Sequence, residues 1–139
     1  MRTRKLLLSF VLPGIVFLSG CSDNLPLGGK VTFSDDGSPV PAGTVFFSTP
    51  TFEAQGFIKS DGTYIVGSTG LADGIPKGTY GVSIRGAEDI TMVEGADGSR
   101  SERRKALIDT KYQSPDTSGL TFTVDGKSRK FDIPVDRAK

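Results

Sequence analysis

The chain has 139 residues and an almost balanced charge, with 17 basic and 16 acidic side chains, one cysteine and no histidine. The lack of histidine excludes Ser-His-Asp and Cys-His nucleophile systems and zinc sites with histidine ligands. The balanced charge argues against a general nucleic-acid binder, and a single cysteine cannot form an internal disulfide.

An export signal is predicted over residues 1–20. Arg2, Arg4 and Lys5 precede the apolar run Leu6–Leu18, and this order is typical of a bacterial secretory signal. The run is shorter than the roughly 20 apolar residues that a membrane-spanning helix needs. We therefore expect the segment to be removed and not to span a membrane.

The predicted signal ends in the sequence Leu18-Ser19-Gly20-Cys21. This sequence resembles the lipobox of bacterial lipoproteins, in which the cysteine sulfur takes a diacylglycerol and the signal is cut just before it. The resemblance implies that Cys21 is the lipidation site, with a bacterial envelope membrane as partner through the lipid. Ser22 resembles the sorting signals for the outer membrane or periplasmic face. An unpaired structural thiol is the alternative for Cys21.

Removing the signal leaves 119 residues with 14 basic and 16 acidic side chains. This length fits one domain of common size. We expect a lipidated tether over residues 21–28, which contains Pro26, followed by a single domain over residues 29–136.

Two strands are predicted at the start of the domain, over Gly29–Ser34 and Thr44–Ser48, because apolar and polar residues alternate there with a period of two. Val45 and Phe47 then share the inward face of the second strand. Phe46 lies on the opposite face, where it either packs under a loop or sheet edge or forms an exposed ring that stacks on a ligand.

A hairpin is predicted next. Its strands are Gln55–Lys59 and Thr63–Gly67, and Asp61-Gly62 between them is a strong turn sequence. Tyr64 and Val66 are expected on the same face of the second strand.

The run Thr79–Arg85 alternates most regularly. Its small residues Gly81 and Ser83 are expected on the outer face, against solvent or a closely approaching backbone. The larger side chains are expected to point inward: Tyr80, Val82 and Ile84.

The segment 87–105 interrupts the alternation with many charged residues, so it is predicted to be a long polar loop. Such loops in compact domains are either functional or mobile. We therefore keep two interpretations, a solvated mobile loop and a partner-binding loop. A third hypothesis is a patch for phosphate or lipid headgroups, formed by its basic residues Arg100, Arg103, Arg104 and Lys105.

The last two strands are predicted over Leu120–Val124 and Phe131–Val135, joined as a hairpin by Asp125-Gly126. Phe131, Ile133 and Val135 are expected to point inward. Pro134 has no amide hydrogen to donate, so the final strand is expected at a sheet edge. Seven strands without a helix predict an all-β fold, a seven-stranded antiparallel Greek-key β-sandwich.

No catalytic or metal-binding motif is present. The five Asp-Gly pairs lack the carboxylate spacing of calcium loops and are interpreted as turns. Paired carboxylates or a serine–lysine pair remain chemically possible, but no strand-turn-helix setting for an activated serine is found. We expect no enzyme activity, no cofactor and no metal.

Short motifs across the domain resemble the carboxypeptidase regulatory-like, transthyretin-like domains, and those near the C-terminus are similar to small envelope lipoproteins carrying this domain alone. The resemblance implies a prealbumin-like sandwich and no assigned activity, since the histidines of transthyretin-like hydrolases and metallocarboxypeptidases have no counterpart here. The motifs are Gly29-Lys30-Val31-Thr32-Phe33, Asp36-Gly37, Pro39-Val40, Ser60-Asp61-Gly62-Thr63-Tyr64, Pro76-Lys77-Gly78-Thr79-Tyr80-Gly81-Val82, Lys111-Tyr112, Thr117-Ser118-Gly119-Leu120 and Phe131-Asp132.

The sequence therefore predicts a lipid-anchored, non-catalytic module of the cell envelope that serves protein interaction or structural support. The alternative is a lipoprotein that binds a small ligand such as a glycan or peptide. The absence of Trp and the presence of only three Tyr weaken the idea of an aromatic stacking platform.

Overall fold

The computed structural model describes residues 23–139. The predicted signal, the lipobox and Cys21 lie outside the described residues. The described chain is mostly β-structure, and its only helical elements are a 3-10 turn over Thr110–Gln113 and the single-turn helix α1 over Pro115–Ser118. Its strands are β1 Gly28–Phe33, β2 Thr44–Thr49, β3 Phe52–Phe57, β4 Thr63–Ile65, β5 Gly78–Arg85, β6 Glu88–Glu94, β7 Arg100–Ala106, β8 Leu120–Val124 and β9 Ile133–Val135.

These strands form a three-stranded sheet in the order β4-β1-β9, a four-stranded sheet in the order β3-β2-β5-β8 and the separate pair β6-β7. The all-β prediction is confirmed. Residues 23–139 contain nine strands where seven were expected, because the predicted loop contributes two more. The expectation of purely antiparallel pairing is wrong at β1 and β9, which run parallel.

One hydrophobic core lies between the three-stranded and four-stranded sheets. The side chains predicted to point inward are buried, except Phe131, which is partly buried against the core. The Phe47 ring joins the two sheets through contacts with Tyr64 and Phe131, each at 6.3 Å between ring centroids. Alternation thus places apolar faces from both sheets into a shared interior. The confirmed inward residues are Val45, Phe47, Tyr64, Val66, Tyr80, Val82, Ile84, Ile133 and Val135.

The two Asp-Gly turns expected to close hairpins differ in the structure. The hairpin at Asp61-Gly62 is formed in part, since the Lys59 amide donates to the Thr63 carbonyl at 2.8 Å and Gln55 pairs with Gly67, although the main partner of β3 is β2 and that of β4 is β1. Asp125-Gly126 instead connects β8 to β9 in the opposite sheet. At the first turn, the Asp61 carboxylate accepts hydrogen bonds from the Thr63 amide and hydroxyl.

The outer face of β5 is covered around Gly81 and Ser83 and exposed at its ends. Ser83 is 0% exposed, because the segment containing α1 folds across this face. A Cβ added at Gly81 would lie 2.9 Å from Pro115 Cβ, and the Ser118 hydroxyl donates to the Val82 carbonyl. Of the two expectations for this face, close approach by another backbone is confirmed.

The long loop predicted over residues 87–105 is wrong, since β6 and β7 form a regular antiparallel hairpin there. Ile90, Thr91 and Val93 favour an extended strand. At the turn, the Asp97 carboxylate accepts hydrogen bonds from the Ser99 amide and hydroxyl. Both faces of this hairpin are exposed, so charged residues occupy most of its positions. The sequence therefore shows no alternation of apolar and polar residues there.

Candidate functional site

The N-terminal segment that was predicted to be a tether over residues 21–28 docks on the domain from Asn24 onward. The Asn24 side-chain amide donates to the Ser68 hydroxyl at 2.9 Å. Leu25 exchanges backbone hydrogen bonds with Ile75 at 2.8 and 2.9 Å, and Leu27 is buried. We call this region of the molecule the tether end. A free tether is therefore shorter than the sequence predicts.

A rigid turn over Ser68–Gly74, here named the Leu71 loop, lies at the tether end. The Asp73 carboxylate accepts hydrogen bonds from the backbone amides of Ser68, Thr69 and Gly70 and from the Thr69 hydroxyl. These hydrogen bonds, with the Thr69 hydroxyl first, lower the pKa of Asp73 to about 2.

The Leu71 side chain projects from this loop into solvent and is 86% exposed. It is followed by Ala72, the only residue other than glycine with a positive φ among residues 23–139. Strained backbone of this kind persists where the surroundings enforce it. Leu71 was not predicted to be a functional residue, because one leucine among small polar residues forms no periodic pattern.

The β6–β7 hairpin leaves the opposite end of the sandwich. β5 begins at Gly78, close in sequence to the tether-end residue Ile75, and ends at Arg85, just before the hairpin. Eight residues of strand separate the two ends by about 24 Å. We call this second region the hairpin end.

The base of the hairpin is part of the sandwich, whereas the rest projects from it. The Leu107 amide donates to the Ala87 carbonyl at 2.9 Å, and Ala87 is buried next to Gly43. Beyond this base, β6 and β7 have no extensive contact with any other strand or helix of residues 23–139.

One face of the hairpin carries exposed apolar side chains. Ile90 and Met92 are 52% and 64% exposed and lie on the same face of β6, since side chains alternate along a strand. Across from them on β7 are Arg104 and Glu102. The Arg104 guanidinium lies 3.5 Å from Glu88 and 3.0 Å from Glu102, so it forms part of a local ion-pair network.

The basic residues of the hairpin do not assemble into one patch. The register places Arg100 opposite Glu94 and Lys105 opposite Asp89. Successive residues of β7 also point to opposite faces, which divides the four basic side chains between the two sides. The hypothesis of a phosphate or lipid-headgroup patch therefore loses its geometric basis.

An open cleft of about 420 Å³ runs along the outer edge of β3. Gln55 and Gly67 exchange backbone hydrogen bonds of 3.0 and 2.9 Å at this edge. Phe57 and Ile65 are each about half exposed at the cleft. The cleft is lined by Glu53, Ala54, Gln55, Phe57, Ile65, Gly67, Ser68, Thr69, Gly70, Leu71 and Ala72.

Phe46 is partly buried and is not a free stacking platform. The Arg85 guanidinium carbon lies 4.4 Å from the centroid of its ring, and the same guanidinium is 3.8 Å from the Glu53 carboxylate. A ligand that stacked on this side of the ring would displace the arginine. Within residues 23–139, no three His, Cys, Asp or Glu side chains are grouped as metal ligands.

Charged residues at the C-terminal segment pair with one another. The Arg137 guanidinium lies over the Phe33 ring at 3.7 Å and reaches Asp35 at 2.7 Å and Asp36 at 2.9 Å. Hydrogen bonds from Ser38 chiefly lower the pKa of Asp36 to about 2. This cluster holds the C-terminal segment against β1.

No family model matches the chain, and no curated protein matches it. Among solved structures, a 9R-lipoxygenase from Cyanothece PCC8801 is similar at 10% identity and a TM-score of 0.35, over 91% of this chain and 18% of that one. The chain thus spans less than a fifth of that protein's length, and so low a score carries no argument about fold or function. No helix within residues 23–139 has the length and apolar character to cross a membrane.

Proposed function

We propose that this chain is a lipid-anchored, non-catalytic module of the bacterial cell envelope, attached through Cys21, that binds another envelope protein with its β6–β7 hairpin. The observation that carries the proposal is the position of the hairpin. It projects from the end of the sandwich opposite the tether, with Ile90 and Met92 exposed on one face.

The architecture supports separate roles for the sandwich and the hairpin. We propose that the seven strands of the two facing sheets form a prealbumin-like Greek-key sandwich, with the hairpin inserted between β5 and β8. The division into a three-stranded and a four-stranded sheet supports this proposal. In this account the sandwich is the support, and the insertion carries the contact with the partner.

The low stability expected of an isolated hairpin favours a binding role. A two-stranded hairpin in water is marginally stable without further packing, and this one has no extensive contact beyond its base. Its β6 edge carries the sequence Ile90-Thr91-Met92-Val93, whereas its β7 edge carries mostly charged residues. A partner strand that adds to the β6 edge would satisfy its backbone groups and bury Ile90 and Met92.

Site-specific photo-cross-linking in the native envelope tests the proposal. A photoreactive side chain at Met92 is expected to form a discrete adduct with a protein, and Ile90→Asp is expected to abolish that adduct. The matched control is a probe at Thr123, which is exposed on β8 and should form no adduct. Adducts that form equally at Met92 and Thr123, or that survive Ile90→Asp, would refute the hairpin as the binding site.

Small-ligand binding is the second candidate function, and the cleft beside β3 is the observation that favours it. Its volume of about 420 Å³ is within the range of small-molecule sites. Glycan and peptide arrays probed with the chain distinguish the two functions. A ligand that is lost in Phe57→Ser but retained in Ile90→Asp would favour the cleft over the hairpin.

A further inference from the structure

We propose that the Leu71 loop inserts the Leu71 side chain into the surface of the same bilayer that holds the lipid on Cys21, giving the domain a second membrane contact. This inference rests on the proposed lipid anchor. We therefore assign the exposed Leu71 side chain to the membrane surface and not to a protein partner.

The short length of chain between Cys21 and the docked residue Asn24 leads to this assignment. Cys21 is three residues before Asn24, so even a fully extended backbone spans at most about 11 Å between them. Asn24 is hydrogen-bonded to Ser68, the first residue of the Leu71 loop, at 2.9 Å. A lipid on Cys21 therefore brings the bilayer surface close to the loop.

The loop has the chemistry and the rigidity for this contact. Leu71 is 86% exposed, the highest value among the exposed large hydrophobic side chains of residues 23–139. Hydrogen bonds to the Asp73 carboxylate order the backbone before contact, so insertion costs little conformational entropy. Burying apolar surface in the bilayer then adds to the anchoring free energy of the acyl chains.

The contact is apolar in origin and not electrostatic. Lys77 and Lys127 are exposed at this end, but Asp23 and Asp125 are exposed there as well. Gly126 lies beside Leu25, where an added Cβ would be 3.5 Å from Leu25 Cδ1. Because basic and acidic groups balance, we expect the contact to persist at high salt, unlike the attraction of a polybasic segment to anionic lipids.

A second contact also orients the domain. An acyl chain alone allows the domain to tumble about its tether, whereas two neighbouring contacts restrict the tilt. β5 would then carry the hairpin end about 24 Å away from the tether end. The exposed face of Ile90 and Met92 would be presented to a partner clear of the lipid surface.

Fluorescence on the full lipidated chain in phosphatidylcholine–phosphatidylglycerol vesicles tests the inference. Lipid occupies the Cys21 sulfur, so a single introduced cysteine is the only thiol that takes a nitrobenzoxadiazole dye. The test positions are Leu71→Cys and, with the native leucine retained, Gly70→Cys, where an added Cβ would meet no atom closer than 3.8 Å. The control is Ser99→Cys, exposed at the hairpin turn.

We expect the dye at positions 70 and 71 to shift to the blue and to be quenched several-fold more by spin-labelled phospholipids than the dye at position 99. Adding Leu71→Asp to the Gly70→Cys chain should remove the difference, and high salt should not. Equal quenching at all three positions would overturn the inference. A blue shift of the dye fluorescence without quenching would also overturn it. The dye would then lie in an apolar environment outside the bilayer, against an acyl chain or a protein surface.

Sedimentation with the vesicles and palmitate labelling separate this inference from its premise. A chain that is labelled and sediments, but shows no quenching at position 71, refutes the membrane contact alone. A chain that takes no palmitate and reacts with dye at Cys21 refutes the lipid anchor, and the inference fails with it.

Discussion

The Leu107 amide donates to the Ala87 carbonyl at 2.9 Å, and this single hydrogen bond marks where the sandwich ends and the projecting hairpin begins. Ala87 is buried on the sandwich side of that boundary. On the other side, Ile90 and Met92 face solvent. The boundary defines which residues can be removed without disturbing the core.

Replacing residues 88–106 with a short Gly-Ser linker should leave the melting temperature nearly unchanged. The hairpin has little contact with the rest of the domain, and loop closure changes by only about 0.6 kcal/mol per doubling of length. Thermal unfolding followed by circular dichroism measures the effect. A matched deletion that also removes Ala87 and Leu107 should destabilise the domain, and a large fall in the shorter deletion would show that the hairpin is integral to the fold.

Ser83→Ala should retain or raise the stability of the domain, whereas Ser83→Asp should unfold it. The Ser83 hydroxyl is buried without a hydrogen-bond partner among the described residues, so its removal relieves a desolvation cost of about 1 kcal/mol or more. A buried unpaired carboxylate costs several kcal/mol against a total stability of about 5 to 15 kcal/mol.

Thr121→Asp is the control for Ser83→Asp, because Thr121 is exposed on the neighbouring strand of the same outer face. Denaturant unfolding compares the variants. If Ser83→Asp were tolerated as well as Thr121→Asp, the segment containing α1 would not cover β5 as described. Val82→Asp, on the inner face, should also unfold the domain.

Gly29→Ala should destabilise the domain by disturbing the close packing between β1 and the segment leading into β9. A Cβ at Gly29 would lie only 1.9 Å from the Phe131 carbonyl oxygen, so one of the two backbones must move. We expect a loss of roughly 1–3 kcal/mol, as is typical of overpacking. Gly70→Ala is the control, since its added Cβ would meet no atom closer than 3.8 Å. Equal unfolding midpoints in urea would contradict the close approach.

The stabilising effect of Asp73 should disappear in acid. Its pKa is about 2 in the folded chain against 3.8 for the unfolded carboxyl, so protonation favours the unfolded state. The advantage of the native chain over Asp73→Asn should therefore be complete above about pH 4 and decline as the pH falls toward 2. The difference in melting temperature between the two proteins, measured from pH 2 to 6, gives the profile. A constant difference would show that the carboxylate does not order the Leu71 loop.

Local alternation was sufficient to predict the all-β class and the inward residues, because a period of two directly determines which side chains share a face. Phe47 and Val82 are buried for this reason. The pairing of strands depends on long-range contacts, so the parallel neighbours β1 and β9 and the change of sheet at Asp125-Gly126 were not predictable from turn sequences. The charged β7 strand concealed the hairpin, and a solitary Leu71 gave no signal in the sequence.

We propose a lipid anchor at one end of the sandwich and a binding hairpin at the other, and radiolabelled palmitate tests the anchor most directly. In a bacterial host that processes lipoproteins, the native chain should incorporate the label and lose residues 1–20, because Cys21 supplies the only acceptor thiol in the sequence. Cys21→Ala should take no label and retain its signal. Label that persists in Cys21→Ala, or a native chain that remains unlabelled, would contradict the account.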